Sequence, residues 1–361
     1  MRRNPREQLQ RRPYDCAVIT PPLPPELIAE VPELVRYGRT ATRLHPRPGD
    51  VTAADSHIGG PLRWPLDEPW PTCVAPRWGI EEVPIPAELL DRLRVVESRR
   101  TQQHVMAEGE MELHREIART VGPGYTGFGS AGDGPVVGYR TRERPHSQPN
   151  PMVAVAQLRA ADIPDLPRPG GADMLQVLWC PDHHAVRPVG PTVALRWRRE
   201  TDVNGPFADP PRSWIGRNDF VPVPCRLYPE QVLEYPFRQE LPAGLAKRVD
   251  AWDERVDEDE DGMSYVEVAM APGWKVGGYA NWSLTDLRDT RCRQCTGPTS
   301  LVLVIDSKEY DGGTQKRWQP AKDPQPTAAQ QPTGLLVGRW GALRIFACLT
   351  CPDAPFTLDQ Q

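Results

Sequence analysis

Four cysteines in two Cys-x-x-Cys turns are the residues whose type and spacing point most directly to chemistry. The turns are CRQC at 292–295 and CLTC at 348–351. Tetrahedral zinc takes four ligands, and each such turn presents two thiolates, so the two turns together supply a complete ligand set. Four thiolates leave no coordination position for water or substrate, which predicts a structural zinc site. Its ligands would be Cys292, Cys295, Cys348 and Cys351.

A redox pair is the alternative interpretation of these turns. It would place its first cysteine at a helix N-terminus, where the helix lowers the pKa of the thiol. The first turn instead precedes an apolar strand pattern at 298–305, and the second follows one at 343–348. The segment 296–347 is longer than the linker of a compact zinc ribbon, so a sheet must bring the two turns together. Ordinary buried thiols are a further alternative.

Two segments that share a Gly-Gly element indicate an internal repeat. Residues 57–73, HIGGPLRWPLDEPWPTC, and residues 275–292, KVGGYANWSLTDLRDTRC, each carry a tryptophan four positions after the second glycine and a cysteine shortly beyond. The similarity continues in PMVAVAQL (151–158) against PTSLVLVI (298–305), and in LQVLWC (175–180) against LRIFAC (343–348). Paired glycines at both places predict backbone with positive φ or close approach, and Trp64 and Trp282 suit packing.

The order of these elements predicts an α+β fold that is internally duplicated, with mainly antiparallel sheet and flanking helices. Helical spacing precedes both Gly-Gly elements, at 24–38 and 241–256, and residues 86–121 predict a helical insertion in the first half. The predicted domains are a polar N-terminal tail at 1–24, a first repeat at 25–205 and a second repeat at 206–361. The 43 prolines indicate short strands and long irregular connections.

The repeat predicts a second, mixed metal site. In VLWCPDHH (177–184), Cys180 takes the place of Cys348, and His183, three residues on, takes the place of Cys351. Cys73 takes the place of Cys292, and His146 is the nearest suitable side chain before the strand at 151. The predicted ligands are Cys73, His146, Cys180 and His183, with His184 as an alternative donor. The competing hypothesis is that they are remnants of a lost site, packed as small apolar or hydrogen-bonding residues.

Charge and composition bear on partners and location. A net charge of −5 and an isoelectric point near 5.9 give no general attraction for nucleic acid or anionic membranes. Eight cysteines are too sparse for a disulfide scaffold, and the basic start of the chain is not followed by an apolar stretch. We therefore expect a cytoplasmic protein with reduced thiols, in which Cys16 and Cys225 have no partner in the repeat.

Two segments resemble known binding motifs but lack the sequence context that these motifs require. GFGSAGDG, from Gly127, follows a helical pattern where a nucleotide fingerprint needs a strand, and it predicts a loop. DEDEDG (257–262) resembles a calcium loop, but Val268 occupies the position of the bidentate glutamate, which favours a solvated acidic loop. The chain has no G-x-S-x-G, H-E-x-x-H or P-loop sequence.

Taken together, these segments resemble the YwqG-like family, a bacterial domain of unknown function. The resemblance rests on SHIGGPLRWP, WKVGGYANW, DMLQVLWCPDHH with VALRWR, and PTGLLVGRWGALRIFACLTCPD, and it covers about residues 25–361. It implies a duplicated α+β fold built on antiparallel sheet, a cytoplasmic protein and no established reaction. Many relatives carry a glycine directly after the Cys-x-x-Cys turn, where this chain has Thr296.

Two functions remain open at this point. The first is a zinc-stabilised binding or interaction protein without catalytic activity, which engages a protein or small-molecule ligand. The second is a metal-dependent hydrolase or lyase that uses the mixed site, because histidine ligands leave an exchangeable position more readily than four thiolates.

Overall fold

Antiparallel sheet dominates the computed structural model of the chain. It describes residues 23–100, 105–130, 134–184, 190–256, 262–283, 286–321, 323, 325, 330–338 and 340–360. The chain divides into two compact units. The larger unit comprises Met1–Cys73, Asn150–Asp182 and Pro188–Gln361, and the smaller comprises Val74–Pro149 with His183–Arg187.

The elements of the described residues are mostly short, as the proline content predicts. The α-helices are α1 (Pro25–Glu30), α2 (Ala87–Glu97), α3 (Glu110–Val121), α4 (Ala243–Val256), α5 (Tyr265–Ala269) and α6 (Gln315–Trp318). Short 3₁₀ helices span Pro32–Tyr37, Pro169–Gly171, Glu200–Asp202, Asn218–Phe220 and Arg238–Glu240. The strands are β1 (Arg39–Arg43), β2 (Arg47–Pro48), β3 (His57–Ile58), β4 (Thr72–Cys73), β5 (Arg77–Pro84), β6 (Tyr125–Gly129), β7 (Val137–Arg144), β8 (Asn150–Pro151), β9 (Val153–Arg159), β10 (Met174–Trp179), β11 (Val193–Arg198), β12 (Cys225–Arg226), β13 (Glu230–Glu234), β14 (Lys275–Gly277), β15 (Ser300–Asp306), β16 (Ala342–Ala347) and β17 (Phe356–Gln360).

Two six-stranded sheets form the larger unit. Sheet A has the order β13-β1-β14-β15-β16-β17, and sheet B has the order β11-β10-β9-β3-β12-β2. Side chains alternate between faces along a strand, so Val177 of β10 and Ile345 of β16 enter one buried cluster shared by both sheets. On its other face, sheet A packs against helical residues such as Trp252 of α4, which join a second cluster with Phe346. The protein is thus α+β, as predicted.

The two sheets share an irregularity at matching places. Between β9 and β10 the register passes from Val177↔Ala156 to Leu178↔Ala154, which leaves Val155 as an extra residue. Between β15 and β16 it passes from Ile345↔Leu303 to Phe346↔Leu301, which leaves Val302 as the extra residue. Two positions after each bulge residue, the strand pairs with the short strand that leads into a Gly-Gly turn. Gln157 of β9 pairs with His57 of β3, and Val304 of β15 pairs with Lys275 of β14. These pairings match the sequence alignment of the two segments residue for residue.

The strand that leads into each Gly-Gly turn pairs with one strand from the other predicted repeat. β14, in the second predicted repeat, pairs with β1 from the first, whereas β3, in the first, pairs with β12 from the second. After β1 in sheet A, the chain passes to β2 in sheet B. After β12 in sheet B, it passes to β13 in sheet A. Each sheet therefore contains strands from both predicted repeats.

The Gly-Gly turns have the backbone that the sequence predicts. Gly277 and Gly278 have φ of 75° and 69°, and Gly59 has φ of 68°. A Cβ at Gly60 would lie 2.4 Å from the side chain of Val51, so this position needs glycine for space. Trp64, in the same segment, is fully buried, which confirms its packing role.

The smaller unit is a three-stranded antiparallel sheet, ordered β5-β7-β6, with α2 and α3. Leu89, Leu93, Leu113 and Ile117 line a separate core there. The segment 86–121 is helical over α2 and α3, as predicted, but the sheet was not predicted. Gly127, for which the sequence predicts a loop, lies inside β6.

The first predicted helix is interrupted. α1 ends at Glu30, and Val31 has φ of −128° and ψ of 62°, outside the helical region. Pro32 disfavours helical backbone at the residue before it and lacks a backbone donor, so a 3₁₀ helix starts there instead. Within the described residues, no helix is both long enough and apolar enough to cross a bilayer. Most of the predicted tail 1–24 and of the acidic loop 257–262 lies outside the described residues.

Candidate metal centres

The two Cys-x-x-Cys turns lie at one end of sheet A. The first turn, 292–295, precedes β15, and the second, 348–351, follows β16. β15 and β16 are antiparallel neighbours in which Ser300 pairs with Ala347. The start of one strand therefore adjoins the end of the other, which confirms the expectation that the sheet brings the two turns together.

Both turns use their own backbone to orient their sulfurs. The Gln294 amide donates to Cys292 Sγ at 3.4 Å, and the Cys351 amide donates to Cys348 Sγ at 3.4 Å. The first turn is closed by the Thr296 amide, which donates to the carbonyl of Cys292 at 2.9 Å. Amide donors of this kind stabilise thiolate charge, so both turns present sulfurs suited to a cation.

The distances between the sulfurs fit four-coordinate zinc. Cys292 Sγ lies 3.9 Å from Cys351 Sγ, and Cys295 Sγ lies 3.7 Å from Cys348 Sγ. All four sulfurs lie within 4.8 Å of one another. A tetrahedron with Zn–S bonds of about 2.3 Å has edges of about 3.8 Å. A disulfide would need about 2.05 Å, and the cysteines are free thiols.

Electrostatics show why these thiols need a cation. The backbone amides of Cys351 and Thr350 lower the pKa of the Cys348 thiol to about 6. The neighbouring sulfur of Cys295, together with burial, raises the pKa of the Cys351 thiol to about 12. Once one sulfur ionises, its neighbours resist ionisation, and a bound divalent cation removes that repulsion.

The larger unit also brings together the two cysteines of the predicted mixed site. Cys73 ends β4 and Cys180 follows β10, and both are buried with their sulfurs within 4.8 Å. The hydrogen bond to Cys73, and then burial, raise the pKa of the Cys180 thiol. Asn150, paired with Cys73 across β4 and β8, donates from Nδ2 to Cys180 Sγ at 3.4 Å. The same amide side chain is fixed by the carbonyl of Ile215 at 2.9 Å.

The smaller unit brings together His146 and His184. Their ring centroids are 5.9 Å apart, and each offers a ring nitrogen within 4.8 Å of the other. His184 Nδ1 lies 3.2 and 3.1 Å from the carbonyls of Ala75 and Pro76, so Nδ1 is the donor in these contacts. A metal-binding histidine commonly donates its second ring nitrogen to a carbonyl in this way.

His183 and His184, the predicted ligand and its alternative, lie in extended chain of the smaller unit. His184 forms an isolated β-bridge with Arg77, and the carbonyl of His183 accepts from the Trp78 amide at 3.0 Å. In extended chain, consecutive side chains point to opposite sides, so only one of the two can adjoin His146, and the ring that does so is that of His184. The choice between His183 and His184 as a metal ligand stays a prediction.

A third group of possible ligands, Glu97, Glu110 and His114, lies in the smaller unit. Arg100 donates to both carboxylate oxygens of Glu110, and its hydrogen bonds lower the pKa of that carboxyl to about 2. The guanidinium already supplies the positive charge that this carboxylate needs. We therefore assign the group as an ion-pair network rather than a metal site.

Buried charged residues, which the sequence analysis did not predict, cluster where the chain passes from β1 of sheet A to β2 of sheet B. His45 lies between two glutamates, contacting Glu309 through Nδ1 and Glu230 through Nε2 at 3.2 Å. Arg47 donates to Glu309 and, at 2.8 and 2.6 Å, to Asp323. His45 has φ of 42°, a strained value outside glycine. We call these five residues the crossing cluster.

Two clefts of the larger unit adjoin the second Cys-x-x-Cys turn. The larger, of about 900 Å³, runs along β11 and is lined by Trp197, Arg199 and the turn residues Thr350 and Cys351. The smaller, of about 460 Å³, borders the Gly-Gly turn of β14. Leu349 lines both clefts.

Comparison with protein-family models gives no match to this sequence, and comparison with curated proteins gives none either. The resemblance to the YwqG-like family stays a prediction. The functional assignment therefore rests on the side chains described above.

Proposed function

We propose that the protein is a zinc-stabilised binding protein. Its structural zinc ion is held by the thiolates of Cys292, Cys295, Cys348 and Cys351. The observation that carries this proposal is the sulfur geometry, with distances of 3.7 and 3.9 Å that match the edges of a zinc tetrathiolate. The ion would occupy a closed coordination sphere, so its role is to fix structure and not to activate water.

The position of this site supports a binding role. The second turn forms walls of both clefts, and the zinc would tie it to the first turn across the end of β15 and β16. A cleft of about 900 Å³ is large enough for a small-molecule ligand. Its indole and guanidinium groups, from Trp197, Arg198 and Arg199, offer stacking and hydrogen-bond donors. We propose that a small-molecule or protein ligand is bound there.

We further propose that Cys73 and Cys180, both in the larger unit, provide two sulfur ligands of a second zinc ion. The predicted internal repeat supports this proposal, because it aligns Cys73 with Cys292 and Cys180 with Cys348. The amide donor from Asn150 to Cys180 Sγ is a supporting contact of the kind expected around a metal ligand.

Burial disfavours the alternative of a metal-dependent hydrolase or lyase at that second site. Cys180 has no exposed surface, and Cys73 is 2% exposed. A catalytic zinc needs an accessible position for water and substrate.

The first test is a pair of cysteine substitutions. Cys292→Ser removes a ligand of the structural zinc, whose binding contributes on the order of 10 kcal/mol to folding, so we expect loss of one zinc per chain and loss of cooperative unfolding. Cys225→Ser is the matched control, because Cys225 is also buried and its thiol contacts the carbonyls of Val223 and Pro332 at 3.3 Å, away from both Cys-x-x-Cys turns. Native mass spectrometry gives the zinc count, and thermal unfolding followed by circular dichroism gives stability. A Cys292→Ser protein with unchanged zinc content and unfolding would overturn the proposal.

A further inference from the structure

We propose that the tetrathiolate is a site of reversible oxidation, at which a peroxide links Cys295 to Cys348 as a disulfide and releases the zinc. This inference rests on the proposed zinc site and adds a chemical reaction to it. Three features of the site lead to it: unequal access to the sulfurs, unequal hydrogen bonding and the distance between one particular pair.

Access differs among the four sulfurs. Cys295 is exposed, whereas Cys292 is 3% exposed and Cys348 has no exposed surface. Cys351 is intermediate. Gly297 keeps the approach to Cys295 open, because a Cβ at that position would lie 3.2 Å from Cys295 Sγ. A dissolved oxidant therefore meets Cys295 first.

Hydrogen bonding favours the same sulfur. The sulfurs of Cys292 and Cys348 each accept a backbone amide at 3.4 Å, and such bonds draw charge from a thiolate and weaken it as a nucleophile. Within the described part of the chain, no backbone amide donates to Cys295 Sγ. The same holds for Cys351 Sγ in this part of the chain, so of the two sulfurs without an amide donor Cys295 is the more accessible one.

The sulfur of Cys348, which lies 3.7 Å from that of Cys295, determines the product. Cys295 Sγ attacks one peroxide oxygen, the O–O bond breaks, and a sulfenic acid and hydroxide form. The thiolate of Cys348, 3.7 Å away, then attacks the oxidised sulfur and expels a second hydroxide as the S–S bond forms. Two thiolates and one hydrogen peroxide give one disulfide and two hydroxides. The zinc loses two of four ligands and dissociates.

The disulfide would keep the two turns connected. Cys295 belongs to the turn before β15, and Cys348 to the turn after β16, so the new bond spans the connection that zinc made. The fold is therefore retained while the zinc leaves, and reduction restores the ligand set. A disulfide within either turn would not maintain this connection.

The experiment treats the zinc-loaded full chain with hydrogen peroxide. Released zinc is measured with a chromogenic chelator, and disulfides are mapped by mass spectrometry of non-reduced peptides. We expect release of one zinc per chain, a Cys295–Cys348 disulfide, and rebinding of zinc after reduction with dithiothreitol. The Cys225→Ser variant serves as a thiol control and should behave as the wild type.

A second variant tests the access argument without removing a ligand. Gly297→Ala places a methyl group beside Cys295 Sγ, so zinc release should be slower than in the wild type while the zinc content stays the same. A disulfide between Cys292 and Cys351, or zinc release without any disulfide, would overturn the inference while leaving the zinc site intact. Purified protein whose two turns carry no zinc would instead overturn the proposed function, and this inference with it.

Discussion

At the scale of single residues, Thr296, beside the proposed zinc site, has a backbone conformation that is unfavourable for threonine. It follows the first Cys-x-x-Cys turn with φ of 56°, a left-handed value that costs a β-branched residue about 1–2 kcal/mol. Glycine adopts this backbone without steric penalty. The Thr296 hydroxyl compensates in part by donating to the Cys295 carbonyl at 2.7 Å.

We therefore expect Thr296→Gly to be more stable than Thr296→Ala by about 1 kcal/mol, because both variants lose the hydroxyl hydrogen bond and only glycine relieves the backbone strain. Chemical denaturation of the zinc-loaded protein measures the change. Thr296→Ala is the matched control, since it removes the hydroxyl but keeps the Cβ, and it should be destabilising. A Thr296→Gly variant less stable than Thr296→Ala would refute the strain argument.

Single residues also mark where sequence reasoning was limited. The proximity of the two Cys-x-x-Cys turns could be predicted, because each turn is local and the strands beside it were recognisable as apolar runs. His184 could be named only as an alternative to His183, because the spacing alone does not say which of two adjacent side chains faces His146.

At the scale of elements, the crossing cluster stabilises the points where strands pass between the two sheets. Burial alone would raise the pKa of Glu309, but the hydrogen bond from His45 and the charges of Arg47 and Arg43 lower it to about 2. Glu309 is 2% exposed, so this ion-pair network is shielded from solvent. It lies beside the segment that joins β1 of sheet A to β2 of sheet B.

The lowered pKa predicts how stability depends on pH. A carboxyl with a pKa of about 2 folded and about 4.5 unfolded contributes about 3 kcal/mol above pH 4.5, and this contribution disappears as the pH falls through 2. We expect Glu309→Gln to be destabilised by about that amount at pH 7, and the difference from the wild type to fall to about half near pH 3. Urea denaturation at both pH values measures the difference. Glu88→Gln, at an exposed position, is the control, and a pH-independent difference for Glu309→Gln would contradict the account.

The elements differ in how far the sequence predicts them. β9, β10, β15 and β16 could be predicted because they are apolar runs bounded by turns. β7, with the sequence VGYRTRER, could not, because charged residues on both faces hide the alternation. β1 and β12 are short and polar, and they pair across more than a hundred residues of chain, which no local pattern reveals.

At the scale of the whole molecule, we infer that the two sheets descend from one duplicated unit whose copies have exchanged strands. The matching bulges at Val155 and Val302, and the matching registers of β3 and β14, support this inference. Because β1 and β12 each complete the sheet of the other copy, both copies are needed to form either sheet. The sequence predicts a repeat from its local segments, but it does not predict that strands of one predicted repeat pair in the sheet of the other.

This inference predicts that neither predicted repeat folds alone. Residues 1–205 and 206–361, expressed separately, should lack cooperative unfolding, and their co-expression should restore a complex, as measured by circular dichroism and size-exclusion chromatography. As a control, replacing residues 74–149 by a short glycine linker should leave the sheets folded, since Cys73 and Asn150 already pair across β4 and β8. An isolated repeat that unfolds cooperatively would contradict strand exchange.

The central claim is that Cys292, Cys295, Cys348 and Cys351 hold one zinc ion. X-ray absorption at the zinc edge tests it most directly, on a Cys73→Ala, Cys180→Ala double variant that lacks both thiols of the second proposed site. The account predicts one zinc per chain with four sulfur neighbours at about 2.3 Å. A first shell containing nitrogen or oxygen, or protein without zinc, would contradict it.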